Sequence, residues 1–234
     1  MGAWVQLTAA DGVQIPAWVA QPEGPVRGAV VVAQEIFGVN GHIRAVTERF
    51  AARGFWAIAP ALFHRAQPDV ELGYTPDDMK QGMGYKTAID GLGDAALTDL
   101  RAAAQWIAKE SGGQKVGMVG FCWGGLLTWR AAAQMPELSA AVSYYGGGMT
   151  TDGERVRKAL CPVMAHFGRQ DTHIPMEGVQ AFIQAQPDVQ VHLYDAQHGF
   201  NCDVRGSYDE AGAVLAKDRT LAFFDTHLAG KAAA

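Results

Sequence analysis

Short unbroken apolar runs alternate along this chain with stretches in which apolar residues recur every three or four positions. The runs occupy residues 28–33, 55–59, 115–120, 140–145, 162–167 and 189–194. Apolarity without alternation in segments this short predicts strands buried on both faces, as in a parallel sheet. Between them, residues 42–53 carry Ile43, Val46, Phe50 and Ala51 at helical steps. Residues 94–109 space Ala95, Leu97, Leu100, Ala104, Ile107 and Ala108 similarly, and 124–134, 175–185 and 208–229 follow suit. This alternation predicts an α/β fold: a mostly parallel central sheet wound by right-handed crossovers, with helices on both faces. Ahead of it, residues 4–7 and 14–19 flank Asp11-Gly12, a dipeptide suited to a tight turn, and predict an N-terminal hairpin. No internal repeat, low-complexity block or Pro/Ser-rich linker interrupts the pattern, so residues 1–234 are expected to form a single domain. The long Gly- and Pro-bearing stretch 60–92 is expected to be a lid or cap.

Sheets of this kind bind ligands at the carboxyl ends of their strands, so reactive residues should follow the apolar runs. The run at 115–120 leads into Gly120-Phe121-Cys122-Trp123-Gly124. A G-x-C-x-G between strand and helix matches the nucleophile elbow of α/β-hydrolases, with sulfur replacing the usual hydroxyl. The glycines let strand and helix approach closely. The turn then pushes Cys122 into the open at a helix N-terminus, whose unpaired amides favour a thiolate. An elbow calls for an acid and then a histidine after later strands. Asp171 follows the run at 162–167 and His198 the run at 189–194. Cys122 is therefore the expected nucleophile, His198 the base, and Asp171 the group that fixes the imidazole tautomer. An oxyanion hole is expected from the N–H of Trp123 and one from residues 34–38, with Ile36 best placed.

His173, close to Asp171, is a rival base; His42 is expected to start a helix, and His166 and His192 fall inside strand patterns. Neither H-x-x-x-H nor C-x-x-C occurs, and no glycine-rich phosphate loop follows a strand, so no metal and no cofactor is expected.

Nineteen basic against 24 acidic residues leave a net charge of −5. With no basic surplus to neutralise phosphates, nucleic acid and anionic membrane surfaces are not expected partners. A hydrophobic content of 49% with 18% charged residues excludes a chain that is disordered throughout. No apolar run nears the roughly 20 residues of a membrane span, and residues 1–6 show no export signal. Cys122, Cys161 and Cys202 are too few for a disulfide framework and fit a reducing cytoplasm.

Over nearly its whole length the chain resembles the dienelactone hydrolase family, the carboxymethylenebutenolidases. The likeness is carried by Ala33-Gln34-Glu35-Ile36-Phe37-Gly38-Val39-Asn40, Gly120-Phe121-Cys122-Trp123-Gly124-Gly125, Gly168-Arg169-Gln170-Asp171 and His198-Gly199-Phe200. The resemblance implies an α/β-hydrolase fold, a Cys122-His198-Asp171 triad, and cleavage of a lactone or small carboxylic ester through an acyl-cysteine intermediate. Glu35, which on its own reads as a solvated loop carboxylate, is implied to contact the nucleophile thiol and govern its ionisation. Tyr85 is implied to line the substrate pocket, and Tyr144 to lie near the nucleophile. Family members that act on dienelactone hold the substrate carboxylate with two arginines. Their places are taken here by Gln81 and Cys202, neither of which can clamp a carboxylate. Arg205 or Arg65 is the expected substitute; a broader esterase or thioesterase acting on neutral substrates is the alternative. The complete triad argues against a Cys122 that is merely oxidised as a sensor. The small-molecule substrate is the only partner expected, on a monomer or weak homo-oligomer.

Overall fold

The apolar runs of the sequence become the middle of one eight-stranded sheet. A computed structural model describes residues 2–230. In chain order the strands are β1 (Ala3–Thr8), β2 (Gln14–Ala20), β3 (Gly28–Ala33), β4 (Phe55–Pro60), β5 (Val116–Phe121), β6 (Leu138–Tyr144), β7 (Val163–Gly168) and β8 (Gln190–Tyr194). They lie side by side in the order β1-β2-β4-β3-β5-β6-β7-β8. The β1–β2 hairpin joins β4 antiparallel, and every pair from β4 to β8 is parallel. Every residue of β3, β5 and β7 is buried, which is why their sequences show no polar alternation.

The helices are α1 (Gly41–Ala51), α2 (Pro76–Asp90), α3 (Ala95–Glu110), α4 (Trp123–Gln134), the short α5 (Asp152–Arg155), α6 (Met176–Ala185) and α7 (Glu210–Leu228). Helices α3 and α4 pack against each other and the sheet. On the other face α1 and α7 meet through Phe50 and Phe224, with ring centroids 6.0 Å apart. Helix α2 lies inside the 60–92 excursion and was hidden from the periodicity, since Gly82 and Ile89 are the only residues it buries. Its start is nonetheless written locally. Thr75 accepts from the Asp78 N–H and Asp78 accepts from that of Thr75, a reciprocal cap reinforced by Pro76.

The excursion docks on the loop after β3. Gly38 bridges Glu71, and Asn40, which caps α1, also donates to the Leu72 carbonyl at 3.0 Å. Gly82 of α2 sits so close to the Ile36 carbonyl that an added Cβ would fall 2.0 Å from it. The loop that carries Glu35 and Ile36 is thus clamped from above by residues 70–82.

Strand β5 passes to α4 through Cys122, whose φ of 56° and ψ of −116° are strained for any residue but glycine. Surrounding contacts enforce this conformation. The Cys122 N–H donates to the Tyr144 carbonyl at 3.0 Å, and its own carbonyl accepts from Gly125 at 3.0 Å. A Cβ on Gly120 would lie 2.0 Å from the Gly124 carbonyl oxygen, and one on Gly124 would lie 2.3 Å from that of Ala33. Only hydrogen fits at either position. Chemical denaturation should therefore show Gly124→Ala losing more than about 3 kcal/mol or failing to fold. Gly84→Ala, exposed on α2 with nothing within 4 Å of the added methyl, should instead gain about 0.5–1 kcal/mol.

Candidate active site

Loops at the carboxyl ends of β5, β7 and β8 bring Cys122, Asp171 and His198 together. The latter two loops are stitched to each other: Arg169 donates its N–H to the Tyr194 carbonyl at 2.7 Å, and Gln170 to that of Ala196 at 3.1 Å. Asp171 is held by the N–H groups of His173 and Ile174, at 2.8 and 3.2 Å, both on Oδ1. Its Oδ2 accepts from Nδ1 of His198 at 2.7 Å. That bond commits Nδ1 as the donor and leaves Nε2 free to face Cys122, whose thiol is near enough to act on the ring's pKa. Burial depresses the His198 pKa, but the hydrogen bonds to Asp171 and then Cys122 outweigh it and push the value up to about 10. Cys122 itself is half-buried, at the mouth of the turn. His173 stands with its ring 5.1 Å from that of His198, yet Asp171 takes only its backbone N–H. The rival base lacks the carboxylate that orients His198.

The loop after β3 carries a second charged group. The Glu35 side chain is 1% exposed, and its Oε1 lies 3.4 Å from Nη1 of Arg205. The Arg205 guanidinium packs over the Phe37 and Tyr74 rings at 5.7 Å and against Gly199, the residue after His198. Of Arg205 and Arg65, Arg205 is therefore the one that lies beside Glu35 and the His198 loop. Arg65 is committed to Asp99 and Asp11, both at 2.6 Å. The expected contact from Glu35 to the Cys122 thiol is not made among the described residues: Glu35 pairs with Arg205, and its Oε2 has no partner. Burial and then the nearby charge of Glu35 push the Cys202 thiol up to about 12, while burial alone takes Cys161 to about 11. Neither is a ready nucleophile. Glu35, His42 and Cys202 also form a group of metal-capable side chains, all three buried.

The N–H groups of Ile36 and Trp123 are not spent on acceptors within the fold among the described residues, so both remain available to a developing oxyanion. Tyr85, hydrogen-bonded through its hydroxyl to Gln81 at 2.8 Å, leans on Phe63, and Phe63 stacks on Trp123 at 5.2 Å. The Trp123 indole donates to Asp90 at the end of α2, tying the excursion to the elbow. Tyr144 adjoins the nucleophile through its backbone, its carbonyl accepting the Cys122 N–H at 3.0 Å, but its side chain turns away from the expected pocket. Its hydroxyl bonds to Thr220 of α7 at 2.6 Å, which commits it to the sheet face away from α4. The neighbouring Tyr145, turned by a φ of 38°, faces His198 instead, with ring centroids 5.1 Å apart. Two adjacent tyrosines at a strand end give no sequence signal for which one turns inward.

Comparison with known proteins shows what the chain as a whole is similar to. The profile of the dienelactone hydrolase family matches residues 15–228. A carboxymethylenebutenolidase of Pseudomonas putida is 33% identical over 94% of this chain and 94% of its own. A relative from Synechocystis is 36% identical over 93% of this chain and 94% of its own. Among solved structures, a Klebsiella pneumoniae protein provisionally named a dienelactone hydrolase superposes with a TM-score of 0.82 at 33% identity. That match covers 96% of this chain and 98% of the other. A Pyrococcus furiosus esterase, at 18% identity and a TM-score of 0.69, shares the α/β-hydrolase fold.

The raised His198 pKa has a testable sign. The folded chain holds the imidazolium up to about pH 10, against about 6.5 for a free histidine. Its contribution to stability is fully present below about pH 6.5 and is lost as pH rises through 10. Titration of the His198 ring by NMR should give a midpoint well above 6.5, falling sharply in Asp171→Asn. The stability advantage of the wild type over that variant should shrink from pH 6.5 towards 10.

Proposed function

The chain belongs to the dienelactone hydrolase family and is a hydrolase of carboxylic esters, and from that premise we propose that it opens a lactone or small ester through an acyl-cysteine intermediate. The observation that carries this reading is the 2.7 Å bond from Asp171 to His198, which leaves the other edge of the ring for the Cys122 thiol. The sulfur attacks the carbonyl carbon with its proton already resting on His198, whose raised pKa favours the imidazolium. The oxygen that gains negative charge is met by the N–H groups of Ile36 and Trp123, each worth roughly 3–4 kcal/mol in such a role. The C–O bond then breaks, the leaving alkoxide recovers the proton from His198, and an acyl-thioester remains on Cys122. Water, deprotonated by the same imidazole, attacks the thioester, and the thiol departs with the returned proton.

Phe63, Tyr85 and Trp123 form a run of packed aromatic rings that begins at the residue after Cys122. Arg205 is the group we assign to an anionic substrate, because its guanidinium already holds the carboxylate of Glu35. A substrate carboxylate that competes for it would release Glu35 towards the thiol, the place the family resemblance gives to this residue. A second reading, a broader esterase or thioesterase for neutral substrates, is favoured by Gln81 and Cys202 where paired arginines would stand. No described helix is long and apolar enough to cross a membrane. Three free cysteines favour a reducing compartment such as the cytoplasm.

Rapid quench with an activated ester, followed by intact-protein mass spectrometry, should show one added acyl group that is lost in Cys122→Ala. A label on Cys161 or Cys202 overturns the assignment. Arg205→Ala should raise the KM for a carboxylate-bearing lactone relative to that for a neutral ester by about tenfold or more, the worth of a charged hydrogen bond. An unchanged ratio favours the second reading.

A further inference from the structure

We propose that Glu35, His42 and Cys202 form a binding site for a divalent transition-metal ion of the zinc class. One carboxylate oxygen, one imidazole nitrogen and the sulfur all lie within 4.8 Å of one another, and all three residues are buried. A tetrahedral zinc ion with bonds of about 2.0–2.3 Å holds its ligands roughly 3.3–3.8 Å apart, so small side-chain rotations close the site.

The bonding around the cluster points the same way. Nδ1 of His42 is 3.1 Å from Asp203, whose other oxygen is held by Arg49. That acceptor places the ring proton on Nδ1 and leaves a lone pair on Nε2. A histidine oriented in this way by a carboxylate is the usual support of a metal-ligating imidazole. Nε2 of His42 and Oε2 of Glu35 are both buried, and neither has a hydrogen-bond partner. Two buried acceptors without partners beside a thiol form a cluster that a cation satisfies.

The mixture of nitrogen, sulfur and a single carboxylate suits zinc-class ions and is poor for calcium or magnesium. On binding, a metal–sulfur bond forms at Cys202 and the thiol proton leaves to solvent, so the thiolate adds its negative charge to the one Glu35 shares with Arg205. Arg205 contacts Oε1 of Glu35 and leaves Oε2 free for the ion. With ligands at positions 35, 42 and 202, no local motif could announce the site.

Cobalt(II) is the probe, added to Cys122→Ala so that the elbow cysteine cannot bind it. The protein should take up one ion per chain, with thiolate-to-cobalt charge-transfer absorption and the intense visible bands of a tetrahedral site. Zinc(II) should displace the cobalt. Cys202→Ser in the same background should abolish the charge-transfer band, with circular dichroism confirming that it folds. Asp203→Asn, at the surface, should weaken binding about 10–100-fold. Absence of the band in folded Cys122→Ala, its survival in Cys202→Ser, or unchanged affinity in Asp203→Asn overturns the proposal. Because the protein used lacks Cys122, the outcome is independent of whether acyl transfer at that residue is correct.

Discussion

The structure depends on a strained turn at one residue. Cys122 adopts a backbone conformation that side chains normally avoid, and it does so because β5 and α4 approach within the radius of a methyl group at Gly120 and Gly124. The cost is borne by the fully buried strands on either side, whose hydrogen bonds and packing over-determine the turn. In return the sulfur stands at the helix N-terminus, where the N–H of Trp123 stays free. A relaxed turn would return the side chain to the interior and take the amide with it.

Around this point the polar groups are arranged so that each buried charge has a counter-charge. Asp171 is held by two amides and holds His198. Glu35, among the most buried carboxylates in the chain, faces Arg205. The excursion between β4 and α3 clamps the Glu35 loop through Gly38, Asn40 and Gly82. The acyl-transfer reading and the proposed metal site thus share one carboxylate and one clamped loop.

Much of this was legible in the sequence because it is local. The double-sided burial of β3 to β7 wrote itself as unbroken apolar runs, the elbow as two glycines flanking a cysteine, and the partners as polar residues just after later runs. The positions of Asp171 and His198 followed from chain order alone. Helix α2 escaped because it presents no apolar stripe, although its Thr75–Asp78 cap was there to be read. The orientation of Tyr144 against Tyr145 depends on the twist at the end of β6. The pairing of Glu35 with Arg205, and its nearness to His42 and Cys202, join segments up to 170 residues apart. Such contacts leave no trace in local spacing.

The central claim is that the elbow holds the Cys122 sulfur where it can attack a carbonyl whose oxygen falls between the Ile36 and Trp123 amides. A crystal structure of the wild type, flash-cooled during reaction with a slowly hydrolysed activated ester, tests it most directly. The account predicts a thioester on Cys122 with its carbonyl oxygen about 3 Å from both amide nitrogens. An acyl group on another residue, or a thioester oxygen turned away from both amides, would contradict it.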